Sequence, residues 1–225
     1  MYEINDLTKR PPDRLVQELS RFGVAVIADS MGRYGAMKPY IRPIVRGLRL
    51  AGPAFTVQTY RSDNLMLHVA LEMASPGDIL VTDCGEVENS GLWGGLMTTM
   101  ALIREIGGLV IDGAIRDSAE LIEKNFPVFS KSISPLGGFK ENPGSVNIPI
   151  SCGGLCVCPG DIVIGDDDGV AVVPLEKAEE ILAACKATLE KERQIEKAMS
   201  EGESLFNLLK LDGKLENLGL KIPKI

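Results

Sequence analysis

Histidine is almost absent from this chain: among 225 residues there is one, His68. It lies inside an apolar helical pattern and reads as structural rather than catalytic, which leaves a Ser–His–Asp triad without its base. There is no G-x-x-x-x-G-K-[ST] and no G-x-G-x-x-G following a strand, so a Walker-type phosphate loop and a dinucleotide fingerprint are both excluded. No apolar run is long enough to span a membrane. The opening stretch MYEINDLTKRPPDRL is polar and acidic, unlike a signal peptide. Positive charge is in deficit, with 24 Lys and Arg against 31 Asp and Glu for a net charge of −7. The basic residues are scattered, so neither nucleic acid nor a membrane surface is an expected partner. The expectation is a cytoplasmic protein.

The five cysteines are Cys84, Cys152, Cys156, Cys158 and Cys185. An odd number in a reducing compartment reads as free thiols. Cys152, Cys156 and Cys158 lack the C-x-x-C spacing of a zinc knuckle and have no nearby histidine. They read as small side chains in strands beside glycines.

What is present is ordinary globular material, 45% apolar and 24% charged. Such a length supports one domain with a large core, and no Pro-, Ser- or charge-rich linker divides it. Apolar spacing predicts helices over 11–22, 63–74 (capped by Ser62 or Asp63), 95–106 and 116–124, and a long one over 175–199. Residues 24–32, VAVIADSMG, are ambiguous between helix and strand. Strands are expected at 79–82, 108–112 and 127–130, with two short β segments either side of Gly52–Pro53. A hairpin is expected over 162–173, and a short amphipathic piece over 203–211. The strand–helix alternation in the middle of the chain marks a parallel sheet with crossover helices. The division expected is an α/β domain over 1–175 and a helical extension over 176–225, packed on its own or a neighbouring subunit.

With histidine set aside, chemistry falls to carboxylates, arginine, a metal or backbone amides. Two places qualify. The glycine-rich loop 83–94 runs into Gly94–Gly95–Leu96–Met97, where a helix start offers unpaired N–H groups and about half a positive charge to a small carboxylate. The stretch IDGAIRD ends a buried strand and places Arg116 and Asp117 at the start of the next helix, at the carboxyl end of the sheet where α/β ligands bind. Equally, Asp117 can simply cap its helix while Arg116 pairs with a surface acid. A third feature is Glu192, which interrupts the apolar stripe of the long C-terminal helix. A carboxylate in such a stripe needs a partner if it is buried; if the stripe is exposed there, Glu192 is merely solvated.

Taken in order, AGPAFTV (51–57), DNLMLHVALEMASPGDILVTD (63–83), WGGLMTTMA (93–101), GGLVIDGAIRD (107–117) and PGDIVIGDDDGVAVVP (159–174) resemble one family. It contains the regulator of ribonuclease activity A (RraA) and the 4-hydroxy-4-methyl-2-oxoglutarate / 4-carboxy-4-hydroxy-2-oxoadipate aldolases. The resemblance implies a compact α/β/β/α layered domain of the swivelling phosphohistidine-like type, assembled as a homotrimer or a hexamer. It implies a class II pyruvate aldolase using Mg²⁺ or Mn²⁺ on a small 2-oxo acid, with oxaloacetate decarboxylation as a side activity. By the same resemblance Asp117 is the metal ligand, Arg116 contacts the keto oxygen and the alkoxide, and the amides of Gly94, Gly95, Leu96 and Met97 hold the pyruvate carboxylate. Glu192, or less suitably Glu196, matches an acid that reaches the metal from a neighbouring subunit.

The family's signature is an acid, twenty residues, then Arg–Asp. Its leading acid falls here on Gly95, which has no side chain to contribute, and Glu86 or Glu88 is the substitute the sequence offers. The alternative implied by the resemblance is a catalytically silent, RraA-like protein that modulates a partner enzyme; those regulators lack the Asp after the Arg.

Overall fold

The computed structural model describes residues 2–85 and 88–220. In chain order the elements are α1 (Asp13–Leu19), α2 (Val24–Ser30), β1 (Arg42–Pro43), β2 (Leu50–Gln58), α3 (Leu65–Met73), β3 (Ile79–Asp83), β4 (Gly91–Trp93), α4 (Gly95–Ile103), β5 (Gly108–Ile115) and α5 (Ser118–Glu123). There follow β6 (Val128–Ile133), β7 (Ser145–Val146), β8 (Ile150–Cys152), β9 (Leu155–Val157), β10 (Ile162–Asp166), β11 (Gly169–Val173), a 3₁₀ turn at Leu175–Lys177, α6 (Ala178–Ser200), α7 (Leu205–Leu208) and α8 (Leu211–Asn217).

The main sheet runs β1-β6-β5-β3-β2-β10-β11, with β4 added beside β5 and β7 beside β2. The β2–β3, β3–β5, β4–β5 and β5–β6 pairs are parallel; β2–β10, β10–β11 and β1–β6 are antiparallel. The sheet nearly closes on itself. Arg42 in the first strand donates to the Asp168 carbonyl, in the turn before the last, at 2.7 Å.

Successive side chains on a strand face opposite ways, and that alternation sorts the interior into three cores. Leu80, Leu109 and Ile111 point to a core under α3, α4 and α5. Their neighbours Ile79, Val81 and Val110 join Phe129, Val163, Val170 and Val172 in a core between the two halves of the folded sheet. Ile162, Ile164, Ala171 and Val173 face the third, under α1, α2 and α6. Helix, sheet, sheet, helix is the layering that the family resemblance implies.

Several boundaries differ from expectation, each for a local reason. The ambiguous 24–32 stretch is the helix α2. Residues 50–58 form one strand rather than two, because β2 changes partner just after the Gly52–Pro53 step. Up to Pro53 it pairs with β10, and from Ala54 with β3. A proline without an N–H is tolerated where the ladder changes hands. Residue 64 rather than 62 or 63 is the N-cap of α3, although Asp63 Oδ1 does accept the Leu65 N–H at 2.8 Å. The supposed loop 83–94 contains β4, and the amphipathic piece after α6 is two short helices. Helix α6 packs its first half, Ala178, Ile181, Leu182 and Cys185, on its own chain.

Candidate functional site

The parallel strands β3, β4 and β5 deliver their carboxyl ends to one edge of the sheet, and α4 begins directly after β4. Trp93, fully buried, fixes that junction. Its indole N–H donates to Thr98 Oγ1 at 2.7 Å and its ring stacks on Phe126 with centroids 6.0 Å apart. Its carbonyl accepts the Arg116 N–H at 2.8 Å, so the end of β5 is stitched to the start of α4.

Arg116 and Asp117 do not begin α5, as the sequence suggested; they form the link before it. Asp117 is at the N-cap position with φ 55°, in the left-handed region that Asp tolerates better than most residues. Its side chain makes no capping bond to its own helix. Instead Asp117 Oδ2 accepts the Gly95 N–H at 3.0 Å and lies 3.4 Å from Arg116 Nε. The capping explanation therefore fails for Asp117: its carboxylate crosses to the N-terminus of a different helix.

Both glycines of the turn have side chains close above them. A methyl group at position 94 would stand 2.5 Å from Asp117 Oδ2 and 3.1 Å from Arg116 Nε. One at position 95 would stand 2.0 Å from Glu120 Oε2. The space that a side chain at 95 would fill is thus taken by the Glu120 carboxylate. Lys124 Nζ holds it there, donating to Glu120 Oε1 at 2.5 Å, Thr99 Oγ1 at 2.6 Å and the Gly95 carbonyl at 3.2 Å.

Arg116 separates two hollows. One, of about 130 Å³, is lined by residues 91–97 together with Asn64, His68, Arg116, Gly137, Gly138 and Lys140. The other is a more open depression of about 480 Å³ that includes Asp117, Glu120 and Ser134. Of the first amides of α4, that of Gly95 is engaged by Asp117. Those of Leu96 and Met97 have no carbonyl of their own helix to bond, and both residues line the smaller cavity.

The remaining sequence candidates are placed as follows. Glu192 is exposed on the distal half of α6 and lines neither hollow. Glu196 is also exposed. Glu88 is paired with Lys131 at 2.6 Å; Glu86 lies outside the described residues. Cys156 and Cys158 are exposed while Cys152 is buried. Burial raises the Cys152 thiol well above its ordinary value. His68, read from sequence as structural, lines the smaller cavity, as do Asn64 and Lys140. The one available signal was that Asn64, the N-cap residue, and His68 sit four apart on one face of a mostly apolar helix.

A hard divalent ion typically takes one or two carboxylates and leaves the rest of its shell to water and substrate. Asp117 Oδ1, which has no hydrogen-bond partner among the described residues, and the Glu120 carboxylate suit that demand. Among the described residues no group of three His, Cys, Asp or Glu side chains converges.

The family model for RraA-like proteins, described as Aldolase/RraA, matches residues 24–172. A Halalkalibacterium halodurans protein, provisionally named a 4-hydroxy-4-methyl-2-oxoglutarate aldolase, is 35% identical over 175 residues, covering 78% of this chain and 83% of that one. A crystal structure of an uncharacterised Pseudomonas syringae pv. tomato protein superposes with a TM-score of 0.81 at 28% identity, covering 90% of this chain and 96% of the other. Streptomyces coelicolor RraAS2, described as an unusual member of the RNase ES inhibitor RraA protein family, gives 0.75 at 27% identity, covering 85% and 100%. No helix among the described residues is long and apolar enough to cross a membrane.

Proposed function

The chain belongs to the RraA-like Aldolase/RraA family, and from that premise we propose that it is a divalent-metal-dependent lyase cleaving a small 4-hydroxy-2-oxo acid to pyruvate. One observation carries the reading. A guanidinium and a carboxylate from adjacent residues both press against the glycine turn that opens α4, beside a cavity sized for a small acid. In this reading the Leu96 and Met97 amides bind the substrate carboxylate, with the helix start adding favourable charge. The Arg116 guanidinium meets the keto oxygen, stabilising negative charge as it grows there, worth about 3 kcal/mol for one well-placed donor. Asp117 holds Mg²⁺ or Mn²⁺, with Glu120 occupying the place above Gly95. Bound there, the ion supplies Lewis acidity toward the enolate that carbon–carbon cleavage leaves. Glu192 joins the site only from a second copy of the chain, in the homotrimer or hexamer that we take as the working assembly.

Oxaloacetate yields the same enolate on losing CO₂, which gives a simple assay. Pyruvate release from oxaloacetate should require Mg²⁺ or Mn²⁺, stop with chelator, and vanish in Asp117→Ala. Asp117→Asn keeps tolerance of the left-handed backbone and an oxygen for the Gly95 N–H, so it should fold with an unchanged melting temperature and still be inactive. A folded wild-type protein inert toward every 2-oxo acid tried would instead favour the binding-protein reading. One feature already leans that way: Asp117 and Glu120 both have partners within the chain.

A further inference from the structure

The smaller cavity contains polar atoms that the fold leaves unpaired. His68 Nε2 and Asn64 Oδ1 are both buried without a hydrogen-bond partner among the described residues. The Asn64 amide is oriented by its other end, since Nδ2 donates to the Leu92 carbonyl at 2.8 Å. Its oxygen is therefore left as an acceptor. A buried polar group left unpaired loses its water without a replacement and is destabilising. Both residues are among those lining the one hollow, which marks it as a place for something polar. The hollow holds only about 130 Å³, room for a few waters. An acid of three or four carbons anchored on the α4 amides therefore reaches its other walls, where His68 stands.

We propose that His68 is a catalytic residue of this cavity, moving a proton between Nε2 and the bound 2-oxo acid. The proposal rests on the lyase reading and adds the proton-transfer group that the reading lacks. In the Nδ1–H tautomer Nε2 is an acceptor. It takes the proton of the C4 hydroxyl. The C4–O bond becomes a carbonyl, the C3–C4 bond breaks, and its electron pair passes to C3 as the pyruvate enolate. Nε2 then returns the same proton to C3, giving pyruvate and the neutral imidazole again, with no net proton gained or lost. Burial, and then the Lys140 charge, hold His68 below its ordinary 6.5, so the imidazole is neutral at neutral pH and one ring nitrogen is free to accept a proton. Lys140 and Arg116 are the charged groups that share the cavity with it.

Because His68 is the only histidine, the imidazole gives one unambiguous set of NMR signals. Oxalate, in the presence of Mg²⁺, should shift those signals and raise the His68 pKa as negative charge enters the cavity. Unchanged signals at saturating oxalate overturn the proposal without any mutation. The second measurement is exchange of pyruvate methyl protons in D₂O with Mg²⁺. His68→Gln should slow it by about 100-fold or more, the usual contribution of a positioned acid or base, with oxalate affinity within about threefold of wild type. His68→Asn serves if the Gln variant is unstable. Wild-type exchange at full rate in a folded His68 variant refutes the role of His68 and leaves the lyase reading standing. Wild-type protein that neither exchanges pyruvate protons nor decarboxylates oxaloacetate refutes the lyase reading, and this role with it.

Discussion

Asp63 shows how single residues hold the cavity in shape. Only 1% exposed, it accepts from the backbone N–H groups of Leu65, Glu141 and Asn142 at 2.7–2.9 Å. It thereby ties the loop carrying Lys140 to the start of the helix carrying Asn64 and His68. Burial alone would raise its pKa, but those three donors, with the Asn142 side-chain amide at 3.3 Å, together outweigh burial and hold the carboxyl below 3.8. A carboxyl depressed in the folded state contributes stability above its unfolded value, lost as pH falls from there through the folded value. Urea unfolding followed from pH 6 down to about pH 3 should therefore show a loss of stability that Asp63→Asn lacks, because the amide does not titrate. Near neutral pH that variant should be less stable by about 2 kcal/mol, since hydrogen bonds to a charged acceptor are the stronger kind. Equal acid sensitivity in the two proteins would argue against this role.

At the scale of elements, β2 is the strand on which both halves of the sheet depend. Gly52 lies where it changes partner, and a methyl group there would meet the Gly77 carbonyl at 2.2 Å. A backbone carbonyl on one side and the buried Ile79 side chain beside it leave little room to yield. Gly52→Ala should lower unfolding stability by about 2 kcal/mol, a typical cost of overpacking, measurable as a fall in urea midpoint with unchanged slope. The strands β3, β5, β10 and β11 were legible in sequence because burial on both faces leaves unbroken apolar runs such as ILV and VAVV, and the long helix α6 because its apolar residues recur at helical spacing. β2 was misread because Gly–Pro ordinarily marks a turn, and only the change of partner explains its place in a strand. β4 has three residues, too short for any periodicity. Of the site, Arg116, Asp117 and the glycine turn were visible as a motif in the chain. Glu120 was not: its relation to Gly95 exists only once α5 is laid against α4. Nor was His68, whose significance lies in a nitrogen without a partner, a property of the folded interior and not of residue spacing.

For the molecule as a whole, the exposed apolar residues are not spread evenly. Leu96, Met100 and Ile103 stand out along α4 at 87%, 39% and 70% exposure, starting at the cavity itself. An exposed apolar stripe of this kind ordinarily meets a protein surface. Light scattering after size exclusion should give a mass three or six times that of the 24.2 kDa chain, and Ile103→Glu should reduce it; a wild-type monomer at micromolar concentration would refute the assembly.

The change of partner along β2 also bears on how the chain is made. Its second half pairs with a strand that follows within about twenty residues, but residues 50–53 wait for β10, more than a hundred residues later. As the polypeptide leaves the ribosome, the layer under α3, α4 and α5 can begin to assemble early. The edge of β2 stays open until synthesis has passed residue 165, and through that interval the nascent protein presents an unpaired strand that a chaperone, or another nascent copy, can occupy.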